Sequence, residues 1–299
     1  MVTRKDSTKT DLPLIVIVGP TASGKTALAV RLAKEFAGEI ISADSRAVYK
    51  GLDIGTAKPT HEEQATVPHW GIDLVEPGQR FTAADFKEYA LQKITQIRAR
   101  GKIPFLVGGT GLYVDSVVYD YSFCGESNDM QSRAELERST LEELYIYCHK
   151  HNISLPENYK NKRHVINAIL RDGRALQRSV TKSDNTRIVG ITTEKDILRE
   201  RISHRADSIF RDETYLEAKI AAGRYGWDNE AMTGNVYPLL KQYFNNELTL
   251  DEAKERFTAL DWHLAKRQLT WFRRNQEIVW LSLDNAYTYI AQLLVPKNK

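Results

Sequence analysis

The chain has 299 residues, enough for one large domain or two modest ones with a substantial core. With 42% apolar and 27% charged residues and a net charge of +3, it has the composition of a soluble globular protein; the mild basicity suits an RNA partner without requiring one. Its two cysteines, Cys124 and Cys148, lack metal-ligand spacing and imply neither a disulfide framework nor a zinc site, so a reducing, cytoplasmic setting is expected; the polar opening MVTRKDSTKTDL reads as no secretory signal, and the apolar runs are strand-sized, not membrane-spanning.

In chain order, residues 14–18 (Leu-Ile-Val-Ile-Val) read as a buried strand, short, β-branched and closed by Gly-Pro. Residues 25–36 follow as a helix with Leu28, Leu32, Ala33 and Phe36 on one face. EIISAD (39–44) predicts a second strand ending on a carboxylate, FTAADFKEYALQKITQIRARG (81–101) a helix, and IPFLVGGTG (103–111) a third strand ending in glycines. Beyond about residue 118 the pattern becomes helical and charge-rich, through SRAELERSTLEELYIYCHKH and NKRHVINAILRDGRALQRS, until GITT (190–193) suggests a return strand. The remainder reads as helical, with a capping box at Thr249 and Glu252 and DWHLAKRQLTWFRRN as the closing helix. The expected fold is an α/β parallel sheet with helices on both faces: residues 1–117 and 190–299 form the core, and 118–189 a mostly helical insertion.

Between the first strand and helix, Gly19, Pro20, Thr21, Ala22, Ser23, Gly24, Lys25 and Thr26 fit G-x-x-x-x-G-K-[ST], the phosphate-binding loop. Its backbone N–H groups would converge on phosphate oxygens at the helix N-terminus, Lys25 would neutralise terminal phosphates, and the Thr26 hydroxyl can ligate Mg²⁺. Asp44 ends a strand at the edge where such sheets bind ligands, as a metal ligand, a general base or a turn residue. Gly108 and Gly109 end another strand there and permit close backbone approach, with Thr110 able to orient a ligand. In DILRERISHRADSIF, Arg205 flanks the apolar stripe of Leu198, Ile202, Ala206 and Ile209, so it should meet an anion, either a bound phosphate or a neighbouring carboxylate. In LAKRQLTWFRRN, the pairs Lys266/Arg273 and Arg267/Arg274 recur along one helix side among aromatics, which suits a nucleic-acid backbone or a solvated face.

Taken together, GPTASGKTALA, IISADSRAVYKGLDIGTAKP, VPHWGIDLVEP, FTAADF, IPFLVGGTGLY and LAKRQLTWFR resemble the tRNA dimethylallyltransferase (tRNA isopentenyltransferase) family, in order and spacing over nearly the whole chain. The resemblance implies transfer of a dimethylallyl group from dimethylallyl diphosphate to N6 of the adenosine just 3′ of the anticodon, in tRNAs reading codons that begin with U. The phosphate loop would then hold a prenyl diphosphate. The resemblance makes Asp44 the base on the amino group, Thr26 a contact to diphosphate and Mg²⁺, and Arg205 a stabiliser of the leaving diphosphate. It assigns Ser45, Arg46 and Ala47 to the flipped nucleotide, and Thr110, Arg163, Lys266, Arg267, Gln268, Arg273 and Arg274 to further tRNA contacts; a monomer is the default expectation, and the strand-sized apolar runs imply no membrane attachment. The chain departs from the family pattern at His164, Asn167 and Leu170, along AMTGNVYP (231–238), where Tyr237 survives and Pro238 replaces a basic residue, and at Trp262. These changes remove positive charge from expected RNA contacts and leave the diphosphate set whole. They raise a second reading, a paralogue that binds RNA or prenyl diphosphate without efficient transfer. A small-molecule kinase shares the phosphate loop but leaves DIGTAKP and the basic helix unexplained.

Overall fold

β1 (Leu14–Val18) is apolar at every position instead of alternating, and all of it is buried, as a strand covered on both faces must be. The computed structural model describes residues 12–123, 130–173, 182 and 185–295. After β1 come α1 (Lys25–Glu35), β2 (Gly38–Ser42), α2 (His61–Thr66), β3 (His69–Trp70), α3 (Ala83–Ala99), β4 (Ile103–Gly108) and α4 (Gly111–Val118). The chain then forms α5 (Met130–Arg138), α6 (Leu141–Lys150) and α7 (Lys162–Leu170). It returns as β5 (Thr186–Ile191), α8 (Lys195–Ile209), α9 (Asp212–Tyr225), α10 (Tyr237–Phe244), α11 (Leu250–Arg273), β6 (Val279–Leu281) and α12 (Leu283–Leu294). All pairings are parallel, in the order β3-β2-β4-β1-β5-β6. None of the described helices is long and apolar enough to cross a membrane.

Two compact units result, Met1–Val118 with Ser183–Lys299, and Tyr119–Lys182. In the first, Ile15 and Ile17 of β1 pack with Leu28, Ala29, Leu32 and Ala33 of α1 and with Ala286 and Ile290 of α12. Strand alternation turns Val16 and Val18 to the opposite face. The second unit has its own core of Leu144, Cys148, Ile153, Val165, Ile166, Ala168 and Ile169. Burial raises the Cys148 thiol above its ordinary pKa, so it is an inert core residue; Cys124 lies outside the described residues.

Several sequence expectations change. β5 begins at Thr186, not Gly190, so the sheet resumes earlier than GITT suggested. TLDEAKERF and DWHLAKRQLTWFRRN are one 24-residue helix, α11, opened by the Thr249–Glu252 capping box. It is not the last element: the short strand β6 and helix α12 follow and complete the sheet's edge and one face. β6 has three residues, too few for a periodicity signal. Helix α7 ends at Leu170, and its expected continuation through residues 174–179 falls outside the described residues.

The DIGTAKP stretch is a braced loop. The buried Lys58 ammonium donates to the Tyr49 carbonyl and to Asp53 and Asp73 carboxylates, each at 2.6 Å. Glu217 of α9 accepts the Asp53, Ile54 and Gly55 N–H groups at 2.6, 2.8 and 3.0 Å, and the Tyr237 hydroxyl at 2.8 Å. A Cβ at Gly55 would stand 2.6 Å from that hydroxyl, so glycine is required by contact with Tyr237. Burial, reinforced by Glu217, holds the Tyr237 phenol far above its ordinary range, so it remains a donor. Lys58→Met strips three bonds from this loop and is expected to cost about 3 kcal/mol, read as a shift of the urea midpoint at unchanged slope.

Candidate active site

The exits of β1, β2 and β4 meet at their carboxyl ends. Ala43 N–H donates to Val107 O at 2.7 Å and Thr110 N–H to Ala43 O at 3.1 Å. A Cβ on Gly108 would lie 2.1 Å from the Ala43 oxygen, so only glycine lets the two strands leave the sheet side by side. This sets Asp44 beside Thr110. The Thr110 hydroxyl accepts the Ser45 N–H at 3.0 Å, and Asp44 Oδ1 accepts the Arg46 N–H at 2.8 Å. Arg46 in turn donates to the Glu230 carbonyl at 3.0 Å.

The β1–α1 loop bends through left-handed Ala22 and Gly24, with φ of 59° and 86°. Helices α2, α3, α6 and α11 begin with threonine–acid capping boxes, whereas α1 has no side-chain cap and no acid in its first turn. Its N-terminus is therefore electropositive and offers backbone donors to an anion. Lys25 Nζ donates to the Pro20 carbonyl at 3.0 Å. Burial pulls the Lys25 pKa down to about 8; Asp44 pushes it up and Arg205 pushes it further down. Arg205, on α8, donates to the Thr21 hydroxyl, and Arg201 reaches the Ser23 carbonyl at 3.5 Å. From α11, Gln268 Oε1 accepts the Thr21 N–H at 2.7 Å.

These groups line one cleft of about 640 Å³. Of the residues singled out in the sequence, Thr21, Ala22, Gly24, Lys25, Thr26, Asp44, Ser45, Arg46, Ala47, Thr110, Arg205, Arg267 and Gln268 stand on its wall. Gly19, Pro20 and Ser23 are buried in the body of the loop. Lys266, Arg273 and Arg274 are exposed on α11 away from that wall, and Arg163 is exposed on α7 in the second unit. Gln268, which the resemblance assigns to RNA, has its Oε1 taken by the loop.

Residues 47–275 match the model of the IPP transferase family. The tRNA dimethylallyltransferase of Bacillus subtilis (strain 168) is 37% identical over 288 residues, 92% of each chain. The chain belongs to the IPP transferase family. That of Acetivibrio thermocellus is also 37% identical, over 91% of this chain and 92% of the other. The crystal structure of a full-length tRNA isopentenylpyrophosphate transferase from Bacillus halodurans superposes with a TM-score of 0.71 at 36% identity, covering 94% of this chain and 96% of that one. A eukaryotic dimethylallyltransferase acting on tRNA shares the fold, with a TM-score of 0.76 at 21% identity, over 95% of this chain and 78% of that one.

Measured against this family, the departures have structural uses. Trp262 packs with Leu198, Ile202 and Ala265 between α8 and α11, and Arg199 lies 4.8 Å from its ring centroid. Asn167 accepts from Arg133 at 2.6 Å within the second unit. Two aromatics expected beside RNA turn inward: Phe272 is buried, and Trp271 Nε1 donates to Asp115 at 2.8 Å with its ring against Gly111. Sequence reasoning passed over Asp261, Asn235 and His69, all of which line the cleft. Asp261 had a legible signal: with Ala265 and Phe272 it forms the buried stripe of α11, one carboxylate in an otherwise basic segment. His69 gave none beyond its residue type. Its Nδ1 lies 2.8 Å from Val67 O, and burial keeps its pKa below the ordinary value.

The unfolded chain keeps the Lys25 proton up to about 10.5, whereas the folded chain keeps it only to about 8. The burial penalty is therefore full below pH 8 and fades as pH rises toward 10.5. Lys25→Met is expected to be more stable than the parent at pH 7 by about 2 kcal/mol, with the gap closing by pH 10, in denaturant midpoints compared between the two conditions.

Proposed function

We propose that the chain transfers a dimethylallyl group from dimethylallyl diphosphate to N6 of the adenosine 3′ of the anticodon, in tRNAs reading codons that begin with U, and releases diphosphate. The observation that carries this is a single cleft in which Lys25 and Thr26 of the loop and Arg205 of α8 share a wall with the Asp44 carboxylate. Family membership supports the same reaction. The C1–O bond of the donor breaks and its electron pair leaves with diphosphate, while the N6–C1 bond forms and the displaced N6 proton passes to Asp44. Lys25, Arg205 and the N-terminal amides of α1 stabilise the charge that develops on the leaving group. The adenosine must be flipped out of its loop to enter, and Ser45, Arg46, Ala47 and Thr110 are suited to hold it.

Mg²⁺ fits this donor set. Among the described residues no three acidic, histidine or cysteine side chains gather as a metal cage, but Mg²⁺ needs only one or two protein oxygens beside phosphate oxygens. The Thr26 hydroxyl is one such oxygen, and a bound ion would neutralise the diphosphate.

Exposed Lys266 and Arg273, with Arg267 and Arg274, suit the tRNA backbone, as does Arg163 on the second unit. The reading is tested by single-turnover transfer of radiolabelled dimethylallyl diphosphate to unmodified tRNA with an A-A-A anticodon-loop core. Wild type is expected to prenylate N6, and Asp44→Ala to lose about 10²-fold or more. Donor binding without transfer at any salt would overturn it in favour of a binding-only protein. Replacing Lys266 and Arg273 together by alanine is expected to flatten the slope of log affinity for tRNA against log salt by about 1.4–1.8.

A further inference from the structure

Asp261 is an anomaly in this cleft. Its neighbours on the wall include Lys25, Arg46, Arg205 and Arg267, yet it is a carboxylate only 2% exposed. A fixed negative charge beside a polyanion site weakens ground-state binding of the polyanion, so its presence needs another use. The geometry supplies one. Oδ1 accepts from Asn235 Nδ2 at 2.7 Å, and Oδ2, with no hydrogen-bond partner among the described residues, lies 3.5 Å from Nη1 of Arg205. The same Nη1 donates to Thr21, whose N–H is held by Gln268. Asp261 and Gln268 both project from α11, so one helix grips the loop directly and grips the arginine that faces it. Arg205 Nε is buried with no partner among the described residues, so the guanidinium keeps donor capacity beyond these contacts.

Resting on the transfer reading above, we propose that Asp261 is a positioning residue: anchored by Asn235, it holds the Arg205 guanidinium aimed at the leaving diphosphate. It thereby exchanges ground-state affinity for orientation in the transition state. Asn235 belongs to the 231–238 segment that departs from the family pattern.

The test is Asp261→Asn, alone and combined with Arg205→Ala. Pyrophosphate binding by calorimetry and single-turnover transfer at saturating donor are both measured, with melting temperatures to confirm folding. Removing the charge without changing the size is expected to tighten pyrophosphate about threefold or more while slowing transfer about tenfold. In the Arg205→Ala background the same change should leave the rate as it is, because the residue acts through Arg205. Asn235→Ala, which keeps the carboxylate but frees it, should slow transfer by a smaller factor. An unchanged rate in Asp261→Asn, a loss that persists in full without Arg205, or affinity and rate falling together would each overturn the proposal. If wild type transfers nothing, the parent reading fails instead, and a pyrophosphate affinity that rises in Asp261→Asn only when Arg205 is present still establishes the coupling.

Discussion

The cleft depends on backbone meeting backbone with no side chain between. At Gly108 the β4 exit touches the Ala43 carbonyl of the β2 exit, and the Thr110 amide closes the contact. Gly109 and Gly111 instead make room for side chains of α11: a Cβ at Gly109 would stand 2.2 Å from Gln268 Nε2, and Gly111 admits the Trp271 ring. Three glycines in one turn thus let a strand, a loop and a distant helix converge. Asp44 and the β1–α1 loop then come to share one wall. A methyl group at Gly108 would have to displace the Ala43 backbone, which leads directly into Asp44.

Electrostatically the site is held in tension. Lys25, whose pKa burial pulls to about 8, an arginine facing the same loop and an uncapped helix N-terminus concentrate positive potential at the β1–α1 loop. The protein carries that concentration of charge as a stability cost. Rigid elements around the cleft make this possible. The DIGTAKP loop is tied by the Lys58 ammonium and the Glu217 carboxylate, each holding several of its groups.

Of the departures from the family pattern, Trp262 is absorbed into packing, whereas the 231–238 segment lines the cleft through Thr233, Asn235 and Val236. Trp262 fills the seam between α8 and α11, and Tyr237 keeps its bond to Glu217 although its neighbours have changed. The charge removed from expected RNA contacts leaves Lys266, Arg267, Arg273 and Arg274 exposed along α11, so a basic surface persists where the aromatic residues have turned inward.

By itself the sequence determined the central strands and the loop. β1 and β4 are near-continuous apolar runs ended by glycine, and Gly19–Thr26 carries its own geometry, because local turn chemistry and burial pattern suffice to specify both. It also marked Asp44, Thr110 and Arg205, each at a strand end or helix margin that faces a ligand edge. Tertiary structure alone decided what those residues touch. That Gln268 braces Thr21, that Asp261 faces Arg205, and that β6 and α12 close the sheet follow from contacts between segments far apart in the chain. Residue type and spacing report which face of an element is buried; they do not report which partner is buried against it, because that depends on how distant elements come together in space.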